Sequence, residues 1–508
     1  MAPIQAYLPS VTSRNFLLGL VLLLIVRLVV INVIYNLFFH PLSSYPGPKL
    51  WATSRLPWNY FNFRGRLGWR IRDLHKQYGP VIRIAPNELS YTTSSAWRKI
   101  YGQRSPEFEK AVDGRGIAPV EINGKRALMT ETSDGHARLR KAINPAFSER
   151  ALRDQEKYLQ AHSTTLLTQL FKSCNEGPVD MAKWYNLLSY DVITGKFIIP
   201  SSQLAFGTTA NCLNQADQPH LQVLGNRAKS VVFFQFALQY GLMSVLQFLT
   251  PKYAREARRK HLALSAAKVQ ARLQAKNPGK DFMYYILENQ EEKFSSLDLT
   301  LLASTFIVAG SNTTADTMTG LTYLLLRNPD KMECLKKEIR SMFRSKEEIT
   351  IQSTVHCRYL TACLEESMRM RPALCCSLAR TVPDNGEVID GEFVPGGTGV
   401  GVHMLAAAHS ELNFRRPMEF IPERWLELPP GSEFANDDKG GSQPFSHGLR
   451  SCAGKALAWA EMRITMAKLL WHFDFELANP EEDWWNKQRT YLIWERLPLK
   501  VDLKPRAA

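Results

Sequence analysis

The sequence predicts a mainly α-helical protein with small β-sheets, preceded by one helix able to cross a membrane. Three observations predict this. An apolar run stands near the N-terminus, helical periodicities dominate the remainder, and beyond about residue 50 there is no long Gly/Ser linker and no internal repeat. The third argues for one large domain, although 508 residues would by length alone suggest two or three. The expected division is a membrane anchor over 1–40, a proline-rich hinge over 41–50 and one large domain over 51–508.

The run Phe16 to Phe39 carries one charge, Arg27, and is long enough to span a bilayer as a helix. Arg27 near its middle costs roughly 2.5–3.5 kcal/mol, which the surrounding Leu, Val and Ile offset. A cleaved signal peptide would want a basic start, a shorter apolar core and a small-residue cleavage site, and HPLSSYPGPK supplies little of that. A retained anchor is therefore expected. Pro41, Pro46 and Pro48 then form a stiff connector. Arg14 precedes the span while Lys49, Arg55, Arg64 and Arg70 follow it, so the body is expected on the cytosolic side of an endoplasmic-reticulum-type membrane.

Strand character opens the body in PVIRIAPNELSY, with a turn at Pro-Asn, and returns in GEVIDGEFVPGG. Helical patterns lie in DGHARLRKAINPAF, DFMYYILENQEEKF, Leu299 to Leu326, PDKMECLKKEIRSMF and TACLEESMRMR. Val231 to Leu249 is dense in Phe and Leu. It reads equally as a buried helix pair or as an amphipathic lid over an apolar pocket, because periodicity alone does not decide.

A formal net charge of +15 raises the question of nucleic acid, but no zinc-finger spacing or recognition module is present and the basic residues are dispersed. An anionic membrane surface, an acidic protein partner or plain solubility accounts for the charge. The eight cysteines are scattered with no CxxC, so no disulfide framework is expected and a reducing compartment fits. Most are small buried hydrophobes, but the surroundings of Cys452 set it apart.

Cys452 lies in FSHGLRSCAG, Phe445 to Gly454, followed by KALAWAEMR. Gly448 and Gly454 allow close backbone approach. A helix beginning just after Cys452 sets its positive end near the sulfur. The segment resembles the haem-binding signature of the cytochrome P450 family. Phe445, Gly448, Arg450, Cys452 and Gly454 stand in the matching places, and Leu449 replaces the usual proline or glycine. The resemblance implies a P450 fold and haem b (iron protoporphyrin IX) with Cys452 as axial ligand to the iron. Phe445 would shield the sulfur, and Arg450 would reach a haem propionate.

Other motifs extend the resemblance in the expected order. Glu366-Ser-Met-Arg369 is similar to the family's ExxR, and Pro417-Met-Glu-Phe420-Ile-Pro422-Glu423-Arg424-Trp425 to its PxxFxPERF, with Trp425 for phenylalanine. Glu366, Arg369 and Arg424 are implied to form a structural network. Ala309-Gly310-Ser-Asn312-Thr313-Thr314 resembles the distal oxygen-binding motif. There a small pair leaves room for O2, and Thr313 steadies proton-delivering waters. Asn312 replaces the usual acid and cannot titrate. Asp316 or a water chain substitutes for it, or proton delivery is weaker. His136 and Arg140 resemble the WxxxR helix, and Arg380 a further propionate contact.

YGPVIRIAPNELSY and FRRPMEFIPERW resemble the fungal microsomal branch of secondary metabolism. The implied enzyme is a monooxygenase acting on an apolar terpenoid, polyketide or alkaloid, with O2 and electrons from a separate NADPH-cytochrome P450 reductase, and with cytochrome b5 as a further donor. Oxidative coupling or desaturation is the alternative outcome. A hydroperoxide isomerase or dehydratase, or a membrane haem protein without turnover, is opposed by Thr313. The pocket walls are expected in the stretch after Tyr101, in Val231–Leu249, in the helix before Ala309 and in Ala373 to Ser377.

Overall fold

A computed structural model describes residues 13–506, apart from 103–106, 112, 116–120, 196–211, 215–226, 251, 275–279 and 289–293. The first helix, α1 (Ser13–Ile34), continues as a π-turn over Tyr35–Phe39. The apolar span Leu18–Phe39 keeps its apolar side chains largely exposed, which fits a transmembrane anchor. Residues 1–12 of the expected anchor lie outside the described residues. The hinge is stitched to the body: Arg83 donates through Nη1 to the Asn36 carbonyl (2.8 Å) and through its backbone N–H to the Pro46 carbonyl (2.7 Å). At Gly47 a Cβ would stand 2.5 Å from the Arg83 carbonyl, so only glycine lets the hinge lie this close.

The body is a helical assembly around small sheets. Helix α2 (Leu56–Phe63) leads to the hairpin β1 (Val81–Ala85) and β2 (Glu88–Tyr91), whose turn is the predicted Pro-Asn. Then follow α3 (Ser94–Tyr101), β3 (Glu109–Lys110), α4 (Ser133–Ile143), α5 (Glu149–Ser173), β4 (Val179–Asp180) and α6 (Met181–Gly195). The segment Val231–Leu249 resolves into α7 (Arg227–Gln239) and α8 (Met243–Leu249), broken at Gly241 with φ +67°. The long predicted helix is α9 (Ser296–Arg327), started by a Ser295/Asp298 capping box and stopped before Pro329. DFMYYILENQEEKF forms a helix over Phe282–Glu288, and its residues 289–293 lie outside the described residues. Helix α10 (Arg358–Met370), β5 (Arg380–Thr381), β6 (Gly399–Val402), α11 (Lys455–His472), β7 (Phe473–Leu477) and β8 (Lys500–Pro505) complete the elements that place the site.

One sheet has the order β1-β2-β6-β5-β3 and a second β7-β8-β4; GEVIDGEFVPGG makes a separate hairpin, Glu387–Ile389 with Glu392–Val394. The main core joins α5, α6, α9, α10 and α11 through residues such as Leu166, Leu188, Met318, Leu364 and Leu469. Helices α6 and α9 pack intimately. Gly310 permits this, since a Cβ there would meet Ile193 at 3.0 Å.

Beneath α9 lies a fully buried charged network. Glu366 accepts from Arg369 Nε and Nη2 (2.8 Å each), Arg424 Nε (3.0 Å), the Ile421 N–H (3.0 Å) and the indole N–H of Trp425 (2.8 Å). Burial works against its charge, yet Arg369 and Arg424 hold its pKa below the ordinary carboxylate value. Arg369 also donates to the carbonyls of Ala408 and Pro417, and Arg424 binds Asp437. The Trp425 departure thus supplies an additional donor to the hub. Trp425→Phe is expected to remove about 1.5–3 kcal/mol, the worth of a hydrogen bond to a charged group. A thermal melt of the haem-loaded protein checks this, and an unchanged midpoint would show that the indole contributes no net stability.

Candidate active site

The segment between Asp437 and α11 brings the cysteine loop to the end of that helix. The Cys452 N–H donates to the Phe445 carbonyl (2.8 Å) and the Ser451 N–H to the Gly448 carbonyl (3.0 Å), closing a tight loop. Gly448 has φ +74°, and a Cβ there would fall 1.8 Å from the Tyr101 carbonyl oxygen, so the loop seats directly on the end of α3. Ser446, at φ +61°, is a non-glycine residue in the left-handed region. Leu449, the departure from the motif, is half exposed and does not disturb the loop. Phe445 packs against Trp459 of α11 with centroids 6.2 Å apart.

Cys452 is an exposed residue at the end of the loop. The surrounding protein mass raises its pKa by burial, while the Gly454 N–H, Arg140 and Lys455 pull it back. A Cβ on Gly454 would lie 3.9 Å from the Phe147 ring and 4.0 Å from the Cys452 sulfur, which keeps this side of the thiol closely covered.

A cluster of buried cations lies beside the loop. Arg140 Nη1 donates to the Ser451 carbonyl (2.8 Å). Arg380 is 4% exposed, lies over the Tyr101 ring, and has Nε and Nη1 without a hydrogen-bond partner. Arg450 donates to Glu107 (2.6 Å), the Glu131 carbonyl (2.9 Å) and Ser133 (3.3 Å). Buried His136 has its pKa lowered to about 4 by burial and then by Arg450, Lys110 and Arg140, so it is neutral at physiological pH. It offers a neutral donor where a charged one had been possible. The orphaned Arg380 donors and the excess positive charge fit a bound dianion such as the propionate edge of haem. Among the described residues no group of His, Cys, Asp and Glu could hold a bare metal ion. A single thiolate suits a metal already held by a macrocycle.

The distal motif lies in mid-α9. Thr313 donates its hydroxyl to the Ala309 carbonyl (2.7 Å), leaving its oxygen lone pairs to accept. Gly310 also lets α6 approach closely, since a Cβ there would stand 3.0 Å from the Ile193 side chain. Asn312 Oδ1 accepts from Arg496 Nη2 (2.7 Å) and Asn186 Nδ2 (3.3 Å). Neither partner was readable from local sequence. Asp316 is ion-paired with Arg371 at 2.7 Å. Burial pushes its pKa up against the pull of Arg371 and Arg496. Of the expected walls, Ala373–Ser377 leads into β5, and the stretch after Tyr101 lies partly outside the described residues.

The family model for cytochrome P450 matches residues 46–503. Cytochrome P450 monooxygenase alt3 of Alternaria solani is 57% identical, covering 98% of this chain and 95% of its own length. Cytochrome P450 monooxygenase alt1 of the same fungus is 48% identical over 94% of this chain and 91% of its own. Averantin hydroxylase of Dothistroma septosporum is 37% identical over 94% and 89% respectively. The cysteine loop, the buried Glu366 network and the distal helix recur in the predicted order within the matched span. The chain is thus a monooxygenase of the cytochrome P450 family, akin to those of fungal secondary metabolism.

Proposed function

We propose that this enzyme inserts one oxygen atom from O2 into an apolar secondary metabolite of terpenoid, polyketide or alkaloid type. Electrons come from a separate NADPH-cytochrome P450 reductase, with cytochrome b5 as a further donor. The observation that carries the reading is Cys452, alone among charged and aromatic covers, in a loop fixed to α11. Haem b supplies the activation of O2 and the oxygen transfer. Cys452 would hold its iron, and Arg140, Arg380 and His136 would hold its carboxylate edge. Thr313, its own proton committed to Ala309, accepts from a water and fixes it over the distal face.

Helices α7 and α8 support a lid role. Val232 and Ala237 are buried, whereas Phe233, Val245 and Phe248 are exposed, so the pair carries apolar residues on its outer side as well as against the body. The apolar outer face and the exposed α1 support a single-pass protein of the endoplasmic reticulum with its body toward the cytosol. Expressed in membranes and reduced with dithionite, the protein is expected to give the long-wavelength carbon-monoxide Soret band of thiolate ligation. Cys452→Ala should abolish that band. A histidine-type band in the unsubstituted protein would overturn the assignment.

Asn312 favours a second reading, oxidative coupling or desaturation. Its carboxamide is not an acid and its oxygen is already engaged by Arg496 and Asn186. Weakened proton delivery suits outcomes that bypass oxygen insertion. On this reading Asn312→Asp, assayed with the reductase, shifts the hydrogen peroxide released per NADPH consumed. An unchanged ratio removes the second reading and leaves hydroxylation.

A further inference from the structure

Lys110 is not part of any motif in the sequence, yet it occupies the most charge-burdened position beside the cysteine loop. Strand β3 pairs antiparallel with β5, and the register sets Lys110 directly opposite Arg380. Directly paired residues on adjacent strands project to the same face of the sheet, and like charges there are destabilising. Both are drawn in from solvent, and Arg380 is almost wholly buried. The Lys110 ammonium donates to the Met129 carbonyl at 2.5 Å, which uses one of its three donors. Burial, then Arg380 and Arg450, bring its pKa down to about 7, against the opposing pull of Glu107 and Glu109.

Lys110, Arg140, Arg380 and Arg450 are the cations of this cluster, and Glu107 and Glu109 are its anions. The cations outnumber the anions, an imbalance that a bound carboxylate would offset. Arg450, the residue implied by resemblance to meet a propionate, already has its guanidinium engaged by Glu107, Glu131 and Ser133. It sits as the inner scaffold of the cluster. Its neighbour Lys110 on β3 instead faces Arg380, whose Nε and Nη1 have no hydrogen-bond partner.

We infer that Lys110 is a cofactor-holding residue of this enzyme, clamping a haem carboxylate jointly with its cross-strand partner Arg380. A carboxylate between the two turns a repulsive pair into two charge-assisted hydrogen bonds. The inference rests on the haem assignment, which the carbon-monoxide spectrum tests separately.

The test uses purified haem-loaded protein and apomyoglobin as the haem acceptor. Lys110→Gln is expected to lose haem about ten- to a hundredfold faster, the equivalent of one charged hydrogen bond. It should also lower the haem reduction potential, because a positive charge has left the porphyrin edge. Lys110→Arg should keep native haem retention and potential but shift the propionate bending band in the resonance Raman spectrum, since a planar fork replaces an ammonium. A merely structural lysine would leave the potential and that band unmoved. Native haem loss and potential in Lys110→Gln overturn the inference. If that variant is not recovered folded, a native propionate band in Lys110→Arg overturns it instead. Absence of haem from the folded unsubstituted protein would overturn the haem assignment, a different outcome from either.

Discussion

The carboxylate of Glu366 is the constraint on which the rest of this structure depends. An ion removed from water costs several kcal/mol unless its partners restore what solvation gave. Here five donors converge on two oxygens, from α10 itself, from the Ile421 backbone and from the side chains of Arg424 and Trp425. No single helix could supply them. The segment 415–425 has to be threaded against α10, and Arg424 in turn binds Asp437 at the start of the run to the cysteine loop. The position of Cys452 is thus inherited from a charge that must not be left alone.

The same logic, with its sign reversed, governs the surface that faces the cysteine loop. Around Glu366 the charges are closed: acceptors and donors match, and nothing asks for a further partner. Around Arg380 they are open, with donors unpaired and cations opposed across two strands. A protein that tolerates this in one place and forbids it in another is distinguishing scaffold from binding site. Distal to the loop a third arrangement appears. Asn312, Asn186, Arg496, Asp316 and Arg371 form a polar string in which the position usually acidic in this family is neutral. Since Arg496 already lies near Asp316 and Asp180, a neutral residue at 312 does not leave it uncompensated.

Much of this was legible in the sequence because spacing alone fixes it. Three residues on a helix put Glu366 and Arg369 on one face, whereas Cys452 was singled out by the likeness of its loop to the cytochrome P450 signature. The β1–β2 turn followed from Pro-Asn, and most of α9 from the helical run Leu299 to Leu326. What escaped depends on partners far away in the chain. Lys110 acquires its meaning from Arg380, 270 positions later, through a strand of two residues that has no periodicity to detect. Trp425 reads as a mild departure until its indole is seen on Glu366. Gly310 was read for the space it opens, but the Cβ it lacks would have struck Ile193 of α6, and no feature of the motif points to that helix.

Val231–Leu249 shows a contact pattern that periodicity left unread. The polar residues of α7 turn inward: Gln235 accepts from Asn62 (3.0 Å) and Gln239 from Asn59 (2.8 Å), both on α2. Apolar rings occupy the rim, where Phe63 of α2 lies 5.2 Å from Phe233 and 5.4 Å from Phe236. A core helix pair would bury its rings and expose its amides. This one does the reverse on its outer side, with Phe233, Tyr240, Val245 and Phe248 exposed. Beside them α2 exposes Leu56 and Tyr60, and α2 follows directly on the hinge that Arg83 fastens to α1. Polar bonds from Arg83 thus tie the end of the anchor to the body, and ring contacts of Phe63 tie α2 to the helix pair. An apolar compound held at that rim would meet α7 and α8 before it met water, and the glycine between them, at φ +67°, is where the pair bends.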